Sequence, residues 1–384
     1  MTSIKKFIWS WHDLQRFRKL PVVERRIVFY SEGRAYGSFL APVMESLIEK
    51  HGVRLCYLTS DATDPFLNSD DGRIATFYIG RGIAMITAFQ NLKAGVLVMT
   101  MPDLNMFHIK RSVHPVHYVY LHHSMVSTHM IYREGAFDHF DSILCVGPHQ
   151  VAETRAWERL RGLPEKRLFE HGYGPLDALL HEAAHRPPRP PLRGDGRRVL
   201  LAPSWGAKGI LEAHANALVE ILLTAGHRVW VRPHPRTRQL APQALDDLTA
   251  RFGGHERFII DEDTTALDAL FDAEVMITDW SGVALEFALG LKRPVLFIDV
   301  PRKINNPHYQ DIEPVPLEVV CREEIGAVLD PNELGRAPAM VETLCQDRGA
   351  FTERARRLSA KTVFNVGKSG ARGAEIIARL AADA

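Results

Sequence analysis

Three segments place imidazole, guanidinium, hydroxyl and carboxylate groups where a run of apolar residues stops. Tyr118-Val119-Tyr120-Leu121-His122-His123-Ser124 ends in two histidines and a serine. Val231-Arg232-Pro233-His234-Pro235 sets one histidine between two prolines that restrict its backbone. Ile277-Thr278-Asp279-Trp280-Ser281-Gly282-Val283 puts an aspartate and a serine just ahead of a helical pattern that contains Glu286. Each set suits one part of a group-transfer reaction. A neutral imidazole at 122 or 123 can take a proton from an acceptor hydroxyl. Arg232 and a protonated His234 suit a diphosphate. Free N–H groups at a helix start near Gly282, with Ser281 beside them, suit a phosphate. Glu286, one turn in, could accept both hydroxyls of a ribose. A fourth end, Leu201-Ala202-Pro203-Ser204-Trp205-Gly206, offers Ser204 and a backbone N–H to phosphate or base.

Plainer readings exist for each. Ser281 could simply cap its helix, and Glu286 could be a surface carboxylate. His234 could lie idle in a proline-rich turn. Gly172-Tyr173-Gly174-Pro175-Leu176-Asp177 reads as a structural turn opening a helix. His129 near His122 and His123 raises zinc as a rival, but the spacing fits no regular ligand set, so no metal is expected. Asp261-Glu262-Asp263 imitates a metal-binding DxD yet reads as an acidic cap and loop. Gly33 and Gly37 do not complete the dinucleotide fingerprint.

Such residues need strands that stop together and helices that start there. Ile27–Ser31, then a helix over about 38–50 stopped by Gly52, then Val53–Thr59, form a βαβ unit. Gly95–Thr100, His117–Leu121 and Ser142–Gly147 read as further buried strands. After the proline- and arginine-rich stretch 187–196 the rhythm restarts. Strands are expected at Arg198–Ala202, His227–Val231, Phe258–Ile260, Glu274–Thr278 and Pro294–Asp299, with helices at Ile210–Thr224 and Gly282–Leu289. Near-continuous apolar strands between helices predict parallel sheets covered on both faces. The fold class is therefore α/β: two Rossmann-like, doubly wound domains facing across a cleft, followed by C-terminal helices. The expected division is a basic aromatic helix at 1–20, an acceptor-side domain at 21–186, a linker at 187–196, a nucleotide-donor domain at 197–350 and C-terminal helices at 351–384.

The 384 residues are 46% hydrophobic and carry a net charge of +1, which gives no signal for nucleic acid. Cys56, Cys145, Cys321 and Cys345 are scattered in apolar surroundings and read as reduced core residues of a cytosolic protein. No stretch of 18 apolar residues spans a membrane, and the N-terminal segment does not read as a signal peptide. Ile4, Phe7, Ile8, Trp11 and Leu14 nevertheless share a helical stripe beside Lys5, Lys6, Arg16, Arg18 and Lys19. That pattern fits either an anionic membrane surface or packing against the protein itself.

The strand-end motifs, in this order, resemble the CDP-glycerol glycerophosphotransferase family of bacterial wall (teichoic acid) and capsule polymer enzymes. Ala202-Pro203-Ser204-Trp205, Arg232-Pro233-His234-Pro235 and Ile277–Ser281 carry the resemblance, with Phe287-Ala288 and Arg293-Pro294 after them. It extends over about residues 110–300. It implies a GT-B fold that works without a bound metal or other cofactor. His123 would then deprotonate the acceptor, and His234 would steady the donor phosphates. Asp279 and Ser281 would hold the diphosphate region, and Glu286 the ribose. Glycerol phosphate, or a related phosphopolyol, would pass from a CDP-activated donor to a polymer or lipid-linked hydroxyl, and CMP would leave. The family usually shows Trp-His-Gly at the first histidine, whereas this chain has His122-His123-Ser124, so either imidazole could be the counterpart. Reduced helical insertions favour a short primer or lipid-linked acceptor over a long polymer. The expected setting is the cytoplasm, with peripheral attachment to the inner face of the plasma membrane. Two rivals share the fold: a nucleotide-sugar enzyme (glycosyltransferase or UDP-sugar epimerase), and a binding protein without turnover.

Overall fold

The structure is a computed structural model that describes residues 2–187, 196–262 and 267–383. Most of the expected linker, residues 188–195, and Asp263 of the acidic triplet lie outside the described residues. The chain forms two compact units. The first comprises Met1–Asp177, Asn305–Pro314 and Thr362–Ala384, and the second comprises Ala178–Ile304 and Val315–Lys361.

The first unit is built on seven strands: β1 (Ile27–Ser31), β2 (Leu55–Thr59), β3 (Ile74–Tyr78), β4 (Val96–Met99), β5 (His117–Leu121), β6 (Ser142–Cys145) and β7 (Arg167–Glu170). They pair in parallel in the order β3-β2-β1-β4-β5-β6-β7. The second unit holds β8 (Arg198–Leu201), β9 (Arg228–Val231), β10 (Phe258–Ile260), β11 (Val275–Thr278), β12 (Val295–Ile298) and β13 (Gly326–Leu329). Its order is β10-β9-β8-β11-β12-β13, again parallel. Both sheets reverse direction of winding beside their first strand. In such folds ligands sit at that switch point, outside the carboxyl ends of the strands. In the second unit the Ser204 and Asp279 loops follow the two strands that flank it.

Central strands are apolar along their whole length because helices cover both faces; β1, β2, β4, β6, β11 and β12 are buried at every residue. The strands that apolar runs do not reveal are β3, β7 and β13. All three lie at sheet edges and are partly exposed, so their sequences are mixed. The single helix expected over 210–224 is two, Ile210–Ala213 and Ala215–Thr224, broken at His214.

The helix Ser3–Lys19 divides along its length. Its second half packs on the first unit: Leu14 and Phe17 are buried, Trp9 stacks on Tyr78 at 4.6 Å, and Asp13 accepts the Tyr78 backbone N–H at 2.9 Å. Residues 2–8 are exposed on every face, with Ile4, Phe7 and Ile8 at 72%, 54% and 61%. The expected stripe from Ile4 to Leu14 is therefore not one surface, because Leu14 belongs to the core.

The C-terminal helices also part company. Helix Ser369–Asp383 returns to the first unit and packs along helix Arg34–His51. Ala374, Ile377, Leu380 and Ala381 join Leu40, Val43, Met44 and Leu47 in one core. Asp177 ties this return down, accepting the Gly367 and Ser369 backbone N–H groups at 2.6 and 2.8 Å and the Ser369 hydroxyl. The Gly172–Asp177 turn is thus structural. At Gly147 the returning chain comes so close that an added Cβ would lie 1.8 Å from the Thr362 carbonyl oxygen.

Candidate functional site

In the first unit, β5 ends at Leu121 and delivers two histidines to different environments. His122 is 2% exposed, and its ring meets Tyr120 edge-on at 4.8 Å and Phe137 at 5.5 Å. Neither of its nitrogens has a hydrogen-bond partner among the described residues. Burial keeps it neutral, far below the ordinary histidine value. His123 is half-buried among Tyr36, Phe39 and Tyr132, with ring centroids 5.6–6.0 Å away. Its Nδ1 lies 3.0 Å from the Thr100 carbonyl oxygen. A carbonyl only accepts, so Nδ1 carries the hydrogen and Nε2 keeps a lone pair. The Tyr132 hydroxyl stands 3.4 Å from that Nε2. Burial holds the His123 pKa down to about 4, against a small upward pull from the Thr100 bond. At neutral pH the side chain is a free base of fixed tautomer.

The loop carrying these groups is braced from helix Pro148–Arg161. Gln150 accepts the Val146 N–H at 2.8 Å and donates to the Ser124 and Val126 carbonyls, both at 3.2 Å. Glu153, fully buried, accepts the Thr128 N–H at 2.6 Å and its hydroxyl at 2.7 Å. His129 Nδ1 lies 3.4 Å from the same carboxylate. Ser124 is held here through its backbone, and its Oγ accepts the Val126 N–H at 3.4 Å.

In the second unit the motif residues gather where β8, β9 and β11 end. Asp279 is 1% exposed, and its Oδ1 accepts the N–H groups of Ser204 and Trp280, both at 2.7 Å. Asp279 therefore ties the β8 loop to the β11 loop, and its other oxygen has no partner among the described residues. Trp280 anchors the turn by donating Nε1–H to the Val300 carbonyl at 2.8 Å. Gly282 then opens helix Val283–Leu291, whose start has no side-chain cap bond, so Ser281 is not the cap of the plainer reading. Glu286 lies in the first turn, half-buried. Arg232 is nearly buried, its N–H bonded to the Leu201 carbonyl at 2.8 Å.

His234 lies 6.1 Å from the Trp205 ring. Its Nδ1 accepts the Arg236 backbone N–H at 3.1 Å. The hydrogen of the neutral ring is therefore on Nε2, the reverse of His123. Burial first, then Lys303 and Arg236, hold its pKa down to about 4. The imidazolium expected at this position is thus replaced by a neutral ring that donates from Nε2. Two cations that the sequence motifs do not flag, Lys303 and Arg236, stand at the same cluster, over the Trp205 ring. Arg236 was one residue past the histidine motif; Lys303 sits in an irregular segment after β12 with no periodicity to mark it.

Two all-parallel, doubly wound units, each with its sheet reversing at an inner strand, place the fold in the GT-B-like class. The chain belongs to the CDP-glycerol:poly(glycerophosphate) glycerophosphotransferase family, whose sequence pattern matches residues 14–303. It is a transferase of the CDP-glycerol glycerophosphotransferase type. Among solved structures it is similar to the wall teichoic acid polymerase TagF, at 15% identity and a TM-score of 0.59 over 100% of this chain and 99% of that one. The UDP-GlcNAc 2-epimerase of Methanocaldococcus jannaschii is also similar, at 16% identity and a TM-score of 0.57 over 92% and 99%. So is a putative UDP-N-acetylglucosamine 2-epimerase from Listeria monocytogenes, at 13% identity and 0.58 over 90% and 94%. At these identities the likeness is one of fold. No curated protein matches the chain by sequence.

Proposed function

We propose that His123 is the general base and that the cradle around Asp279 and His234 holds CDP-glycerol while its glycerol phosphate passes to a short primer or lipid-linked hydroxyl. The acceptor oxygen bonds to the phosphorus that bears glycerol. The bond from that phosphorus to the bridging oxygen breaks, and CMP leaves with the oxygen. The acceptor proton goes to His123 Nε2. The observation that carries this reading is the His123 tautomer: the bond to the Thr100 carbonyl leaves Nε2 as the only basic atom. His234 donates its Nε2–H to a donor phosphate oxygen, and Arg232 adds a fixed charge. The amides from Ser281 onward face the diphosphate, and Glu286 binds the ribose hydroxyls. Ser204 meets the donor, with Asp279 setting the loop. His122 packs in the aromatic core and supports the strand end, while Ser124 lies on the acceptor side. No metal is required, because these groups offset the phosphate charge.

Incubating the protein with CDP-glycerol and a lipid-linked primer is expected to release CMP at a rate that a chelator does not change. UDP-N-acetylglucosamine under the same conditions is expected to release no UDP. UDP release or epimerised sugar instead would favour the nucleotide-sugar reading that the fold also accommodates.

We further propose that the protein sits on an anionic membrane surface through its first helix. No described helix is long and apolar enough to cross a membrane. Ile4, Phe7 and Ile8, with exposed Val22 and Val23 nearby in sequence, are accompanied by Lys5, Lys6, Arg16 and Lys19. Apolar insertion combined with basic charge is what such surfaces bind. The protein is expected to sediment with phosphatidylglycerol vesicles and not with phosphatidylcholine ones. Replacing Phe7 and Ile8 by serine is expected to weaken binding at least about tenfold, since each loses roughly 1.5–3 kcal/mol of apolar burial. Equal binding by the double variant removes the helix from the contact.

A further inference from the structure

The second unit holds two cations on one indole. Lys303 Nζ lies 3.2 Å from the centroid of the Trp205 ring, and Arg236 Cζ lies 3.9 Å from it. Both are well inside the roughly 6 Å reach of a cation–π contact. The three side chains come from separate segments: Trp205 follows β8, Arg236 follows β9, and Lys303 follows β12. No single stretch of sequence creates the cluster.

Among the described residues, neither cation has a carboxylate within 4.0 Å. Arg238, two positions beyond Arg236, shows what a satisfied arginine looks like here. It holds Glu262 at 2.6 Å and Asp246 at 2.6 Å. Of the acidic groups near Lys303, Asp279 Oδ1 takes two N–H groups and Glu212 Oε1 takes that of Gly206 at 3.2 Å, while the second oxygen of each has no hydrogen-bond partner among the described residues and neither carboxylate comes within 4.0 Å of the ammonium. Burial and the neighbouring Arg236 pull the Lys303 pKa down to about 8, with only partial compensation from Asp279 and Glu212. Two like charges held together beside a histidine whose Nε2 carries a donor hydrogen form a site complementary to an anion of more than one charge.

We propose that Lys303 and Arg236 bind the diphosphate of the nucleotide donor, with Trp205 as the platform that holds both cations in position. Lys303 supplies a compact point charge, and Arg236 a planar fork able to take two phosphate oxygens. Trp205 is a positioning residue: its face restricts two long side chains that would otherwise sample many rotamers. The inference rests on the CDP-donor reading and extends it to three residues outside that reading's machinery.

The test is titration calorimetry of the full chain with CDP, with melting temperatures confirming that each variant is folded. Lys303→Met is expected to raise the CDP Kd by about 10- to 100-fold, as for a lost charge-assisted hydrogen bond. Lys303→Arg is expected to recover most of that loss. Trp205→Leu is expected to weaken binding about fivefold in the wild-type background and to have no further effect in a Lys303→Met/Arg236→Met background, because a platform without cations has nothing to position. Wild-type affinity in Lys303→Met overturns the proposal. An undiminished Trp205→Leu effect in the doubly substituted background overturns the platform role. A wild-type chain that does not bind CDP at all defeats the donor reading as well, so the two failures are told apart.

Discussion

Replacing His123 by glutamine is expected to lower CMP release at least about a hundredfold while leaving the CDP affinity within about twofold. Glutamine fills much of the same space and can still bond the Thr100 carbonyl, so the loss reports the missing lone pair rather than a collapsed loop. His234→Ala is expected to lower turnover by a similar factor and also to weaken CDP, because that ring serves the donor. The wild-type pH profile provides a second reading of the same arrangement. Protonation is what would disable His123, and its pKa is held down to about 4. Activity is therefore expected to keep its plateau as pH falls from 7 to about 5, where an ordinary histidine base with a pKa near 6.5 would already be mostly protonated. A decline centred near 6.5, or near-native turnover in His123→Gln, would remove His123 from the role.

Gly147→Ala is expected to be the most damaging single-methyl change in the first unit. Its backbone, at φ −157°, is open to any residue, so the glycine is not there for its conformational freedom. The reason is the Thr362 carbonyl oxygen, 1.8 Å from where the Cβ would go. That oxygen and the Thr362 carbonyl carbon, at 2.8 Å, are backbone, so no side-chain movement relieves the clash. A loss of roughly 3 kcal/mol or more follows, which for a unit of this size lowers its melting temperature by about 6–12 °C. Gly162→Ala is the control. It has φ +61° but open space around it, and should cost only about 1 kcal/mol. If the two variants melt together, the close approach at Gly147 does not govern stability.

Much of this molecule was legible in its residue order, for identifiable reasons. The segments Ile27–Ser31, His117–Leu121 and Phe258–Ile260 stand as strands at the expected bounds, because strong apolar runs meet clear breakers there. Edge strands β3, β7 and β13 escape because one side of each is partly wet and its composition blurs. The strand-end motifs could be found because local sequence builds them. The split between His122 and His123 could not, since only the folded surroundings send one ring into Tyr120 and Phe137 and the other to the Thr100 carbonyl. Gln150, Glu153, Arg236 and Lys303 were silent for the same reason: each acts on a segment distant in sequence. The neutral state of His234 depends on burial and on the N–H of Arg236, neither of which a Pro-His-Pro string announces.

The return of helix Ser369–Asp383 to the unit that begins the chain has a consequence for biosynthesis. During translation the apolar face of helix Arg34–His51 leaves the ribosome long before Ala374, Ile377 and Leu380 exist to cover it. At about 5–20 residues per second, the interval is some tens of seconds. The nascent first unit must wait, incomplete and sticky, while the whole of the second is made. Chaperone demand should therefore fall on the early product, and a fragment ending near residue 187 should aggregate more readily than the 384-residue chain, as light scattering of the two would show.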